Sequence, residues 1–498
     1  MRLLGLHCRF FWGRAILPGT VVLGVLFCSV PVRAFGQTPP SAPSLTVNAD
    51  RLPITTTSPE AAVLFAQGLH LRYDFHTEQA LVTWRAATTK DPNFAQAWAY
   101  IVWLGLDPGE VKQAVEKAQL ATKNVTPGEK LLVQWMTSTN EGRFLGAIAA
   151  MNDLLAMYPR DAALNYEAGL WLQSQGDYEG AARFTKRALE IDPNFAGALN
   201  TLAYDLAFMH EYDEAIPYLK RYAEAEPNDP NPRDSLGEIL QQAGRLEEAL
   251  VEYREALKLD PDFYHSQNGL GDVYALLGRQ DRARQEYAKA LPMALTPQDK
   301  LDCEIQSAIS YAREGNVKQA QVELTAVLAA ATTLQLNAYR SSIHQHLALL
   351  AESRAAAFQH PDDAEAALQM PGPISGKGSG LLARILRTRT RLAAEDGDLA
   401  KARAAVARLE QMVQTTRSNV IERAYHGAKG ALLAAQSKIG AAIEELQEDP
   451  EDPFALAKLA ELQAATGNAH DAAVTRARLR SDYGTTLEDW LAVRGIRQ

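Results

Sequence analysis

Gly244 to Phe263 reads GRLEEALVEYREALKLDPDF. Gly176 to Phe195 reads GDYEGAARFTKRALEIDPNF, and between them His210 to Asp229 reads HEYDEAIPYLKRYAEAEPND. The three stretches start 34 residues apart, and the same period runs through the chain around them. Ala147, Ala181, Ala215, Ala249 and Ala283 keep that spacing, as do Pro159, Pro193, Pro227 and Pro261. Ala80 and Ala114 fit the ladder with one residue dropped before Ala147. Gly142, Gly176, Gly244 and Gly278 stand five before the alanine. Gly169, Gly237 and Gly271, with Ala203, stand twelve before it.

Each repeated residue has a mechanical reason. Gly169 falls inside the first helix of a pair, where glycine costs about 1 kcal/mol against alanine. A small residue there lets the second helix come close. Gly176 ends the first helix, a place that suits a left-handed backbone. Ala181 opens the second helix and faces the first, and Phe184, Ala188 and Leu189 continue a 3.6-residue apolar period. Pro193 stops the helix, since proline lacks the donor and restricts its predecessor. Ala and Leu are plentiful while Val and Ile are thinner, a balance that favours helix over strand. A 34-residue helix pair cannot bury its apolar face alone, so the pairs must stack into a solenoid.

The pattern resembles the tetratricopeptide repeat (TPR) family, with small residues at positions 8, 20 and 27 of each unit and proline at 32. Leu64, Gly68, Ala80, Trp84, Ala87 and Pro92 match one unit. Leu236, Gly237, Leu240, Ala249, Tyr253, Ala256 and Pro261 match another. The stretches TPGEKLLVQWM, AMNDLLAMYPRD and NPRDSLGEIL further resemble repeat arrays attached to bacterial serine/threonine kinases and winged-helix regulators, although this chain carries an export-like segment where the effector domain would be. The resemblance implies an all-α fold: a right-handed superhelical solenoid of antiparallel helix pairs, in two segments.

Units are expected to begin near Ala61, Gly128, Ala162, Ala196, Pro230 and Tyr264, with a degenerate unit over 95–127. The main array thus covers 60–297. Divergent TPR-like helices follow over 298–370: Gly315 and Ala320 keep the spacing, and the ladder is lost from 333. A flexible linker is expected at 371–380, then C-terminal TPR-like helices over 381–498, where Gly397 with Ala402, Gly430 with Ala442 and Gly467 with Ala472 mark three units. The last residues, LEDWLAVRGIRQ, read as a helix capping the stack.

At the other end, MRLLGLHCRFFWGR carries three arginines and no acid, AILPGTVVLGVLFCSV is apolar, and Val32-Arg33-Ala34 offers small residues for cleavage. Residues 1–34 therefore read as a signal peptide, and 35–59 as an extended linker rich in Pro, Ser and Thr. This points to a bacterial protein that is periplasmic or secreted. The alternative is an inner-membrane anchor formed by residues 16–32, making the chain a membrane-tethered envelope assembly factor. Removing residues 1–34 takes away four arginines and no acid, moving the net charge from −10 to −14. An acidic surface repels phosphate backbones and argues against nucleic acid as a partner. Cys8 and Cys28 lie in the signal, so Cys303 would be the one thiol of the mature chain, a small packing residue on a helix.

Motifs for chemistry are sparse. ISGKGSG fails as a phosphate loop, because Pro371 stands where glycine is needed and Gly378 follows Lys377. His344 and His346 are two apart and point away from each other on a helix, so they cannot share a metal. His-Glu-x-x-His, Cys-x-x-Cys and Gly-x-Ser-x-Gly do not occur. Trp84, Tyr253 and Tyr287 share one repeat position and read as core. The expectation is a protein that is not an enzyme and uses no cofactor or metal. The enzymatic alternative, an enzyme or enzyme subunit, would need its site in the irregular region 333–381.

In TPR proteins the first helices line a concave face, where residues 2, 5, 9 and 12 of each unit point inward. Carried onto this chain, the resemblance gives a peptide groove of Tyr166, Gln173, Asn200, Tyr204, Asp234, Glu238, Gln241, His265, Asn268 and Asp272. With no Lys or Arg among them, the face suits a protein or peptide of basic character. Asp234, Glu238 and Asp272 are expected to face solvent there. The function read from the sequence is an exported, non-catalytic scaffold.

Overall fold

The computed structural model describes residues 50–105, 107–369, 378–416, 418–481 and 484–495. The signal segment, the first part of the linker and residues 370–377 of the central break lie outside the described residues. So does the alternative anchor at 16–32. Among the described helices, none is long and apolar enough to cross a membrane.

The described chain is helical throughout, with no strand among the described residues. It runs as pairs: α1 (Pro59–Tyr73) with α2 (Thr77–Lys90), α3 (Ala95–Leu104) with α4 (Pro108–Ala121), α5 (Pro127–Asn140) with α6 (Phe144–Met157), and α7 (Ala162–Ser174) with α8 (Tyr178–Ile191). Next come α9 (Ala196–Phe208) with α10 (Tyr212–Ala225), α11 (Pro230–Gln242) with α12 (Leu246–Leu259), and α13 (Tyr264–Leu276) with α14 (Gln280–Ala290). Beyond these stand α15 (Pro297–Arg313) with α16 (Val317–Thr333), α17 (Asn337–Leu349) with α18 (Arg354–Gln369), and α19 (Gly378–Glu395) with α20 (Leu399–Thr416). The chain ends with α21 (Asn419–Ala435) and α22 (Ile439–Gln447), α23 (Pro453–Ala465) and α24 (Ala469–Ser481), and α25 (Leu487–Gly495).

In most pairs the first helix is cut short by one residue in the left-handed region. Gly142, Gly176, Gly244 and Gly278 hold φ between 72° and 77° there. Where the ladder lacks glycine, Phe75 and His210 adopt φ of 65° and 64°. The turn is therefore imposed by the packing of the pair, since an L side chain takes this conformation at a cost of about 1–2 kcal/mol.

Small residues face large ones across each pair. A Cβ on Gly68 would lie 2.2 Å from Trp84, and one on Gly271 would lie 2.3 Å from Tyr287. Gly169 meets Thr185 and Gly237 meets Tyr253 in the same way. Trp84, Tyr253 and Tyr287 are buried, as their shared position implies. Cys303 is buried too, beside Tyr264, Ala290 and Ala294, and burial pushes its thiol up to about 12.

Three features depart from the sequence reading. First, the end of the linker is fastened to the array. Leu52 N–H donates to Asp161 Oδ2 at 2.9 Å, Thr55 N–H to Glu129 Oε1 at 2.8 Å, and Thr57 N–H to Asp91 Oδ2 at 2.9 Å. Second, the helix after the break begins at Gly378, so residues 378–380 are helix and not linker. Third, α25 does not merely cover the end of the stack. Leu487 is fully buried among Leu301, Ile305, Leu324 and Ile343, so α25 folds back onto α15–α17. In parallel, Asn419 and Arg423 of α21 donate to the carbonyl of Gly176 at 3.4 and 3.2 Å, and Arg423 lies over the Tyr178 ring. The second segment thus returns to the first.

Candidate functional site

The ten residues of the expected groove sit on four successive first helices. Tyr166 and Gln173 belong to α7, and Asn200 and Tyr204 to α9. Asp234, Glu238 and Gln241 lie on α11, and His265, Asn268 and Asp272 on α13. They form one row, but not a solvated one. Eight are at most 6% exposed, and Gln173 and His265 are half-buried.

The repeat itself explains the burial. Equivalent residues of neighbouring units lie side by side, so a long polar side chain reaches the next helix. Tyr204 Oη donates to Glu238 Oε2 at 2.8 Å, across one full repeat. Ser266 Oγ donates to Asp234 Oδ1 at 2.8 Å, and Tyr287 Oη donates to Asp272 Oδ1 at 2.9 Å. The expectation that Asp234, Glu238 and Asp272 face solvent is corrected: they are buried acceptors in a hydrogen-bonded ladder. The end of α1 also packs inward. The Tyr73 ring stands edge-on to Tyr166 and Phe195, at 5.5 and 5.0 Å between centroids. Phe75 joins the apolar cluster of α9–α13.

Two acids absent from the sequence reading belong to this face. Asp205 accepts from Gln173 Nε2 at 2.7 Å and from Thr185 Oγ1 at 3.4 Å. Burial raises its carboxyl well above the usual carboxylate range, against the pull of those hydrogen bonds. Glu167 pairs with Arg72 at 3.5 Å and accepts from Trp103 Nε1 at 3.2 Å. Desolvation raises the Glu167 carboxyl despite the guanidinium beside it. The signal in the sequence was an acid among apolar neighbours on a first helix, and only the stacking of helices shows what it meets.

A second polar centre lies between α17, α19, α23 and α25. His346, Arg384, Arg387, Arg391, Asp452 and Glu488 line a cavity of about 80 Å³. Arg387 pairs with Asp449 at 2.8 Å and with Asp452 at 3.3 Å, while Arg391 lies over the Phe454 ring. Burial among like charges pushes Arg384 down to about 10, and burial pushes the Asp449 carboxyl up to about 6. The space holds a few waters and falls short of the roughly 300–1,000 Å³ of small-molecule pockets. His344 and His346 diverge as their spacing predicts: His346 points to Glu488 at 3.8 Å, and His344 points to α18.

Models of tetratricopeptide repeats match residues 140–194, 172–239, 237–278 and 264–294. No curated protein sequence matches the chain. Solved structures with a similar fold include TTC0263, a thermophilic TPR protein of Thermus thermophilus. It is 21% identical, with a TM-score of 0.31, over 42% of this chain and 100% of that one. A tetratricopeptide repeat protein from Parabacteroides merdae is 12% identical, with a TM-score of 0.36, over 55% of this chain and 94% of that one. YrrB, described as a TPR protein with an unusual peptide-binding site, is 20% identical with a TM-score of 0.27, over 36% of this chain and 92% of that one. By the ladder, the turns and the repeat matches, residues 140–294 of this chain are an array of tetratricopeptide repeats.

Proposed function

We propose that this protein is an exported, non-catalytic scaffold that binds a protein or peptide segment of basic character along the acid-rich inner face of its repeats. One observation carries the reading: the array already holds an extended piece of chain, its own residues 52–57. Asp91 at the end of α2, Glu129 in the first turn of α5 and Asp161 before α7 accept from the backbone N–H groups of Thr57, Thr55 and Leu52. Side chains of stacked helix pairs that accept from the backbone of an extended segment are one way a solenoid surface can hold a peptide. On the inner face from α7 to α13, Asp234, Glu238 and Asp272 are buried acceptors of the hydrogen-bonded ladder, and Gln173 and His265 are its half-buried polar groups. Export rests on the sequence of residues 1–34.

The test is fluorescence anisotropy with three labelled extended peptides of equal length, one lysine-rich, one neutral and one glutamate-rich. The lysine-rich peptide is expected to bind most tightly, weakening as salt rises. Equal binding of all three peptides, or none, removes the proposal.

A further inference from the structure

α17 and α18 are a pair in which the repeat ladder fails. Their connection at 350–353 lacks the left-handed turn that closes most other pairs, and the expected glycine and alanine are missing. Yet their facing surfaces carry three side chains whose chemistry belongs together. His344 of α17 faces His360 and Asp363 of α18, and one ligand-type atom from each lies within 4.8 Å of the others. On α18 the two residues are three apart, so one helical face presents both.

We propose that His344, His360 and Asp363 bind a divalent transition-metal ion, with zinc as the leading candidate, and that the ion clamps α17 to α18. The geometry fits such an ion. The two Nδ1 atoms are 3.2 Å apart. Two imidazole nitrogens on a tetrahedral zinc, each bonded at about 2.0–2.1 Å, stand about 3.3 Å from each other. A neutral imidazole has one ring nitrogen with a lone pair to give, the form in which histidine binds a metal. Asp363 supplies the charge, and Gln359 Nε2 donates to its Oδ1 at 2.9 Å, which orients the carboxylate from outside. All three residues are half-buried, so an ion can enter and water can complete the fourth position.

The sequence expectation of no metal searched within one helix, where His344 and His346 cannot converge. The set found here spans two helices, and no regular spacing announces it. The ion would supply to this pair the fastening that small-residue packing supplies elsewhere. The inference is independent of the peptide-binding reading.

The experiment is a calorimetric titration of the full chain, stripped with chelator and free of any histidine tag, with Zn²⁺. Thermal melts with and without the ion accompany it. One strong equivalent and a higher Tm are expected in the wild type. His344→Ala and His360→Ala should each weaken that equivalent at least about 10-fold and abolish the shift. Asp363→Asn, which keeps the shape of the side chain, should weaken it without altering the melt of the ion-free protein. Co²⁺ should give the visible absorption of a tetrahedral site in the wild type alone. Zinc binding that survives all three substitutions, or an ion that leaves the wild-type melt unmoved, overturns the proposal.

Discussion

The array from α1 to α14 and the returning segment from α15 to α25 solve the same problem by different means. In the array, packing is apolar and periodic: a small residue on one helix receives a large one from its partner, as Gly237 receives Tyr253 and Gly271 receives Tyr287. In the returning segment much of the fastening is ionic. Arg389 joins Asp362 and Glu365, both at 2.8 Å, Arg408 also reaches Glu365, and Arg387 joins Asp449 and Asp452. Glu365 is held below the usual range by hydrogen bonds from Arg408 and Arg389, against some desolvation. The difference teaches that a repeat period is itself a packing device. Where it lapses, arginine forks, which reach across wide gaps and satisfy carboxylates in pairs, take its place.

Three experiments separate the two halves. The largest effect is expected from Arg387→Ala, which leaves the fully buried Asp449 without its partner and should cost about 3–5 kcal/mol. In chemical denaturation the loss should appear in the returning segment first, because solenoid units are stabilised mainly by their neighbours. A single transition shifted as a whole would mean that the two halves are one cooperative body. Next is Ala249→Leu in the array. Ala249 is fully buried between α11 and α12, and the added volume should cost roughly 1–3 kcal/mol. An unchanged melt there would show that the helix pairs are looser than their distances imply.

The smallest effect is a gain. Asp205 has its carboxyl raised by burial, so the folded protein binds its proton more tightly than the unfolded chain does. Its sign follows: stability is full below the unfolded value of about 3.9 and falls as pH rises through and above it. Asp205→Asn keeps an acceptor for Gln173 and removes the charge. It should raise the Tm by about 2 °C at pH 7 and leave it unchanged near pH 3.5. A lower Tm at pH 7 would mean that the ionised acid supports the inner face.

The comparison also shows why the sequence was legible in some places and not in others. The left-handed turns at Gly142, Gly176, Gly244 and Gly278 were visible, and so was the core role of Trp84, Tyr253 and Tyr287, because each follows from contacts inside one 34-residue unit. The polar row from Tyr166 to Asp272 was legible as a row. Its burial was not, because that depends on the next helix and on Tyr73 and Phe75 arriving from the first unit. The fold-back of α25 had no sequence signature, since an amphipathic terminal helix reads the same whether it caps a stack or docks on a distant pair.

By itself, the sequence determined the repeat, the helix pair and the residues that close each turn, because these are local and recur often enough to exclude chance. Only the tertiary structure decided which polar residues meet: Glu167 with Arg72, Arg387 with Asp449, and His344 with His360 and Asp363. The physical reason is distance along the chain. Helix periodicity fixes which face a side chain occupies, while the curvature of the whole stack fixes what that face touches.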